Sequence, residues 1–434
     1  MKLAAFERTL VVQLAGLGEK LLRQFTKADK LCGLAFHPIQ PVFPAVTCTA
    51  QAALRTALPA AKHGIVCNGW FRRDDAKVEF WNQSAYHLPN TRIWDSFKRK
   101  GGTVGTLFTQ QSLGDPSVDL ILSPAPIHKH AGGIIQDCYS KPAGLYETLC
   151  KRLGRQFNLF RYWGPFASIK ATRWIADATL AILQDRNLAP DLLFTYLPHM
   201  DYVLQKGGPD DYDGVKKAFD ELLVELAKLV EGARDAGCRV LLCSDYAIEP
   251  AQRAVFPNRI LSEAGYFQGR KVKGRIYPDL YAAPAFAVCD HQVAHVYIRQ
   301  AELIPRVADL LSNAPGVEAV LGHNRMDHPN AGELILVAEP DAWFAYPWWI
   351  DAGNAPDYAG HVDIHNKIGF DPCELFLGSW FPPRVSQDTS RVGGSHGRND
   401  QPVFFATTVE WDEQPRTYLE MAQCLGDDLD RQVQ

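Results

Sequence analysis

The sequence predicts an α/β protein: a central, mostly parallel sheet with helices on both faces, joined to a smaller α+β lobe. Three observations predict it. Short apolar runs alternate with amphipathic, helix-like segments as far as about residue 258. Thr47, Asn68, Asp201 and Asp245 all fall just after strand-like runs or at a loop-to-helix junction. Open α/β sheets bind their ligands beyond such strand ends. From Arg259 to Trp349 the rhythm changes to alternating, β-rich segments around one helix. Residues 1–258 with 350–434 are therefore assigned to the core, and 259–349 to the lobe.

The elements follow in order. Thr9–Leu17 (TLVVQLAGL) reads as a buried strand, and TAQAALRTAL as an Ala-rich helix. HGIVCN reads as a short strand, and TRIWDSFKRKGGTVGTLF as a helix, a Gly-Gly stop and a strand. GLYETLCKRLGRQF and ASIKATRWIADATLAILQDRN are amphipathic helices. PDLLFTYLPHMD is a buried strand that runs into a polar loop. A long helix, DGVKKAFDELLVELAKLVEGARDAG, leads into the strand CRVLLCSDY. In the lobe, RIYPDLYAAPAFAVCDHQVAHVYI is rich in β formers, QAELIPRVADLLSNA is helical, and GVEAVLG and GELILVAEP are strands. HVDIHNKIGFDP and GGSHGRND read as polar loops.

Composition narrows the function classes. The chain has 434 residues, 47% hydrophobic and 22% charged, with a net charge of −4. That is ordinary for a globular protein and shows no basic nucleic-acid surface. No run of about 18 uncharged apolar residues exists, so neither a membrane span nor a membrane partner is expected. The N-terminal segment reads as a strand approach, not a signal peptide, which points to the cytoplasm. The ten cysteines are scattered with no C-x-x-C, arguing against a disulfide framework or a cysteine zinc site. The partner expected is a small molecule, with homo-oligomerisation left open.

FPAVTCTAQAALRTALPAAKHGIVCN, from Phe43 to Asn68, poses the central question. Thr47 stands where a helix opens, so it is a helix cap or a nucleophile. The block resembles the type I phosphodiesterase / nucleotide pyrophosphatase family of the alkaline phosphatase superfamily. The resemblance extends in order through TRIWDSFKRKGGTVGTLF, LLFTYLPHMDYVLQKGGPD, VLLCSDYAI, GELILVAEP and GGSHGRND. It implies an alkaline-phosphatase-like fold and a metal-dependent hydrolase of phosphodiester or pyrophosphate bonds. In that reading Thr47 attacks phosphorus to give a phospho-threonine, and Asn68 holds the transferred phosphoryl group. The implied substrate is a small phosphate ester or nucleotide. The implied cofactor is one or two divalent cations, zinc by family habit, with manganese or magnesium as alternatives.

Of the family's ligand positions, Asp201, Asp245 and His396 are present. The usual first aspartate is replaced at Gln13 or Ala15, and two usual histidines by Gln205 and Tyr246. HVDIHNKIG offers a substitute: an extended chain would put His361, Asp363 and His365 on one face. His365 is taken as the added ligand, and Lys367 as a point charge on a phosphoryl oxygen. His63 reads as structural, and the aromatic AWFAYPWW as packing. Two alternatives stand: a phosphonate or phosphomonoester hydrolase on the same fold, or a binding protein that has lost its metals. Whether His365 and Lys367 face the cleft of Thr47 separates them.

Overall fold

The computed structural model describes residues 7–130 and 133–432. Residues 1–6, part of the N-terminal segment weighed above, lie outside them. A nine-stranded mixed sheet forms the centre. Its five middle strands run parallel, in the order Leu120–Pro124, Val104–Leu107, Leu192–Leu197, Thr9–Leu14, Arg239–Ser244. Antiparallel strands close both sides: Cys138–Lys141 on one, and Val403–Thr407, Leu34–Ile39 and Lys30–Leu31 on the other.

The period of two along each strand divides the apolar side chains between two faces. Leu10, Val12 and Leu14 enter one core with Leu193, Val240 and Leu242. That core is closed by the helices Ile169–Leu183 and Tyr212–Asp235. Val11 enters the opposite core with Leu192, Phe194 and Leu241, beneath Thr47–Thr56 and Tyr418–Arg431. Every residue of Thr9–Leu14 is buried, as a parallel strand covered on both faces should be.

The lobe is a four-stranded antiparallel sheet in the order Ala285–Asp290, Val293–Ile298, Leu334–Ala338, Val317–Gly322, backed by Ile304–Ser312. Its core also draws on Phe71, Val78 and Phe80 from an earlier hairpin, and on Ala355, Ala359, Ile368 and Phe370.

Three local expectations change. HGIVCN is not a strand: Ala60–His63 is a short helix, and the strand starts at Gly69. The backbone of Ile65 is satisfied by side chains instead, its N–H by His63 Nδ1 and its carbonyl by Thr49 Oγ1. The loop expected at Pro198–Asp201 is a helix, His199–Gly207, with Asp201 in its first turn. A carboxylate is favourable there, at the positive end of the helix dipole. The segment from His361 to His365 is a turn, because Asp363 accepts from both the backbone and the side-chain amide of Asn366. His361, Asp363 and His365 therefore do not share an extended face. All ten cysteines are free. No helix among the described residues is long and apolar enough to cross a membrane.

Candidate active site

Thr47 is the first residue of its helix. Val46 holds the cap position and makes no side-chain cap bond. The Thr47 hydroxyl instead meets the Tyr246 hydroxyl at 3.2 Å, which removes the plain cap reading. The Tyr246 hydroxyl donates to Asp201 Oδ1 at 3.0 Å. Gln205, one helical turn beyond Asp201, donates to both Asp201 oxygens at 2.8 Å. A hydroxyl–phenol–carboxylate chain thus starts at the helix mouth. It lies at the edge of a cavity of about 180 Å³ lined by Thr47, Asp201, Gln205, Tyr246, His291 and His396.

The parallel strands position these groups. Asp201 follows Leu192–Leu197, and Asp245 and Tyr246 follow Arg239–Ser244. Gly16, after Thr9–Leu14, donates its N–H to Asp245 Oδ1 at 3.2 Å. Gly16 has φ +71°, and a Cβ there would meet Ile248 at 2.9 Å, so a glycine is required. Tyr246 N–H also donates to Asp245 Oδ1. The Tyr246 ring stacks on His396 at 3.6 Å and 5°. His396 is itself anchored through Nδ1 to the Ala45 carbonyl.

His291 was not foreseen. A two-residue turn joins Ala285–Asp290 to Val293–Ile298, and His291 occupies it at φ +61°. A non-glycine residue there is uncommon and often marks a functional site. Its ring stacks between Phe370 and His396, and Nδ1 bonds Asp290 at 2.7 Å. Nε2 is buried without a hydrogen-bond partner. The available signal was the Asp-His pair at the end of AFAVCD, the pairing that is missing at Asp245–Tyr246.

Asn68 is fully buried but is not on the cavity wall. Its Oδ1 accepts from Cys48 N–H, and its Nδ2 donates to Asp290. It braces the first turn of the Thr47 helix, and the expected contact to a phosphoryl oxygen is not what this geometry provides. Lys367 does not face the cavity either. Its ammonium is buried against Asp371 at 2.8 Å and Glu374 at 2.6 Å. Burial opposes that charge, but the two carboxylates outweigh it and raise the pKa. His365 does line the cavity, at an exposed rim, with Nδ1 on the Phe80 carbonyl. His63 is structural, as expected.

Burial governs the electrostatics. It raises Asp201 to about 6 against the donors Gln205 and Tyr246, and raises Asp245 well above the carboxylate range. It also drives His396 and His291 far below their ordinary pKa, so both are neutral. Among the described residues no lysine or arginine lines the cavity.

Both Asp201 oxygens are engaged by Gln205, and the Tyr246 phenol occupies the space between Thr47 and Asp201. His396 Nε2 stands 4.0 Å from Asp201, and His365 is held at the rim. No group of three or more His, Cys, Asp and Glu side chains that could hold an ion converges among the described residues. The set Asp201, Asp245, His365 and His396 does not fit as a metal site, because neutral donors have taken over the carboxylate.

Residues 9–371 match the sequence profile of the type I phosphodiesterase / nucleotide pyrophosphatase family. The chain belongs to that family. Its members are hydrolases of phosphoester and pyrophosphate bonds and are generally metal-dependent. No curated protein sequence matches the chain. Among solved structures, it is similar to phosphonoacetate hydrolase from Sinorhizobium meliloti 1021 in complex with phosphonoformate. That match has a TM-score of 0.62 and 15% identity, covering 98% of this chain and 96% of the other. Murine ectonucleotide pyrophosphatase / phosphodiesterase 5 matches at TM-score 0.58 and 14% identity, covering 98% and 95%. The human protein of that name matches at 0.60 and 15%, with the same coverage. These likenesses establish the alkaline-phosphatase-like fold.

Proposed function

We propose that this family member hydrolyses a phosphodiester through Thr47, with Tyr246 and Asp201 taking the part the family gives to metal ions. The Thr47–Tyr246–Asp201 chain carries the reading. A threonine hydroxyl is a weak nucleophile and needs a base. As Thr47 Oγ1 attacks phosphorus, its proton passes to the Tyr246 oxygen, and the Tyr246 proton passes to Asp201. The bond from phosphorus to the leaving alcohol breaks, and that oxygen takes a proton from water. The hydroxide left by that transfer attacks the phospho-threonine, and Thr47 leaves and takes its proton back from Asp201 through Tyr246. His291 Nε2, an acceptor because Nδ1 donates to Asp290, orients that water. The positive end of the Thr47–Thr56 helix favours the phosphoryl oxygens.

A lining with no lysine or arginine among the described residues supports a singly charged diester over a doubly charged monoester. It also supports a second reading, a protein that binds a phosphate ester and does not cleave it. A bis-aryl phosphate separates the two. Hydrolysis that survives a chelator and is lost in Thr47→Ala supports the esterase. Binding without turnover, with or without added zinc, manganese or magnesium, supports the second reading.

A further inference from the structure

One face of the molecule carries apolar side chains that nothing covers. The hairpin of Leu377–Trp380 and Pro383–Val385 ends in Trp380 and Phe381, which are 75% and 93% exposed. The Phe166 ring lies 6.3 Å from Trp380. Phe160, Phe166 and Val362 are each about half exposed, and Val362 packs beside Gly164. The patch therefore spans three neighbouring loops and projects at the hairpin tip.

Three arginines and two carboxylates stand around it. Arg161 reaches over Phe166 and donates to the Phe166 carbonyl. Arg384 lies against Gly360, and Arg391 donates to the Leu377 carbonyl. Among the described residues none of the three forms an ion pair. Asp363 and Asp388, the nearby carboxylates, accept hydrogen bonds from Asn366 and Ser390, and Asp388 also feels the Arg391 charge.

We propose that this face docks on an anionic lipid bilayer, with Trp380 and Phe381 entering the interface and the three arginines meeting headgroup anions. Aromatic tips with basic neighbours suit that boundary, where a ring is half in hydrocarbon and cations face anionic lipid. A second copy of the chain suits it less, because a twofold contact would set the arginines against one another. Leu159, Tyr162, Trp163 and Ile364 line the Thr47 cavity on the same loops, so docking sets the cavity mouth at the bilayer surface.

The test is cosedimentation of the full chain with phosphatidylcholine vesicles, with and without phosphatidylglycerol, at low and high salt. Binding to the anionic vesicles is expected, weakened by salt. It should fall at least about tenfold in the double variant Trp380→Asp, Phe381→Asp, and about fivefold for each arginine changed to Gln. None of these residues lines the cavity, so hydrolysis of a soluble bis-aryl phosphate should not change. No binding to anionic vesicles, or equal binding by the double variant, overturns the proposal. So does light scattering that shows a dimer abolished by the same substitutions. The vesicle result stands whether or not Thr47 proves to be a nucleophile.

Discussion

Replacing Tyr246 by Phe tests the relay with one atom. The ring remains, so its stack on His396 at 3.6 Å is kept. What goes is the oxygen between Thr47 at 3.2 Å and Asp201 at 3.0 Å. Gln205 still donates to both Asp201 oxygens, so no buried carboxylate is stripped of partners. Two net hydrogen bonds are worth about 1–2 kcal/mol of stability, a shift of a few degrees that leaves the protein folded. The effect on rate is larger, because proton transfer by a positioned group contributes about 100- to 10,000-fold. Steady-state hydrolysis of a bis-aryl phosphate over a pH series reads both terms. In the parent, the rate should climb as Asp201 ionises near 6. In Tyr246→Phe, kcat should fall within that range while KM changes little. The acidic limb should move upward, since Asp201 loses a donor to its charged form. An unchanged kcat, or a limb that stays in place, refutes the relay.

Two further outcomes follow from burial. Lys367→Met leaves Asp371 and Glu374 buried without their cation, which should cost about 3–5 kcal/mol. A urea titration should show that loss with KM unmoved. A KM increase without a loss of stability would return Lys367 to the phosphoryl group. Asp201 has its folded pKa raised to about 6 by burial, so its stabilising contribution is present at low pH and lost as pH rises through that value. Above that pH the charge costs roughly 3 kcal/mol. Melting of Asp201→Asn should therefore gain on the parent as pH rises from the unfolded carboxylate range through about 6. A constant difference between the two would show that Asp201 does not titrate there.

The parts of the fold legible in the sequence were those set by local periodicity. Thr9–Leu14, Leu192–Leu197 and Arg239–Ser244 are apolar runs whose residues divide between two cores, and only a doubly covered strand reads that way. The HGIVCN segment failed because Ile65 and Val66 are apolar for core packing, while the backbone of Ile65 is held by the His63 and Thr49 side chains. Periodicity cannot tell that from a ladder. In the site, Asp201 and Asp245 were marked by their places after strand-like runs and Thr47 by its place where a helix opens, and the structure brings Thr47 and Asp201 into one chain of hydrogen bonds. His291 was hidden because it arrives from the lobe, far in the chain from Thr47 and Asp201, and its one signal, the Asp290–His291 pair, lies outside the core strands. Lys367 was misread because its partners, Asp371 and Glu374, lie four and seven residues on, and a linear reading did not weigh them as a buried triad.

The replaced ligand positions act as one unit, and that can be tested by undoing them. Gln13 bonds Tyr418 on the side of the Tyr418–Arg431 helix, which leaves Ala15, beside the Gly16 that holds Asp245, as the position of the family's first aspartate. At Ala15 a charge is absent, and at Gln205 and Tyr246 a neutral donor faces Asp201. Each change lowers the cost of keeping Asp201 and Asp245 buried without a cation. Each would raise that cost if reversed alone. Tyr246→His removes the donor to Asp201 and sets a neutral ring against His396. Ala15→Asp adds a third buried carboxylate beside two whose pKa values are already raised. Single reversals should therefore lose stability and take up no zinc. Ala15→Asp, Gln205→His and Tyr246→His together should bind zinc and recover melting temperature in its presence, because the ion then neutralises all three carboxylates. Zinc uptake by any single variant, measured by mass spectrometry of the native protein, would show that a metal site persists here and that the hydrogen-bonded chain does not replace it.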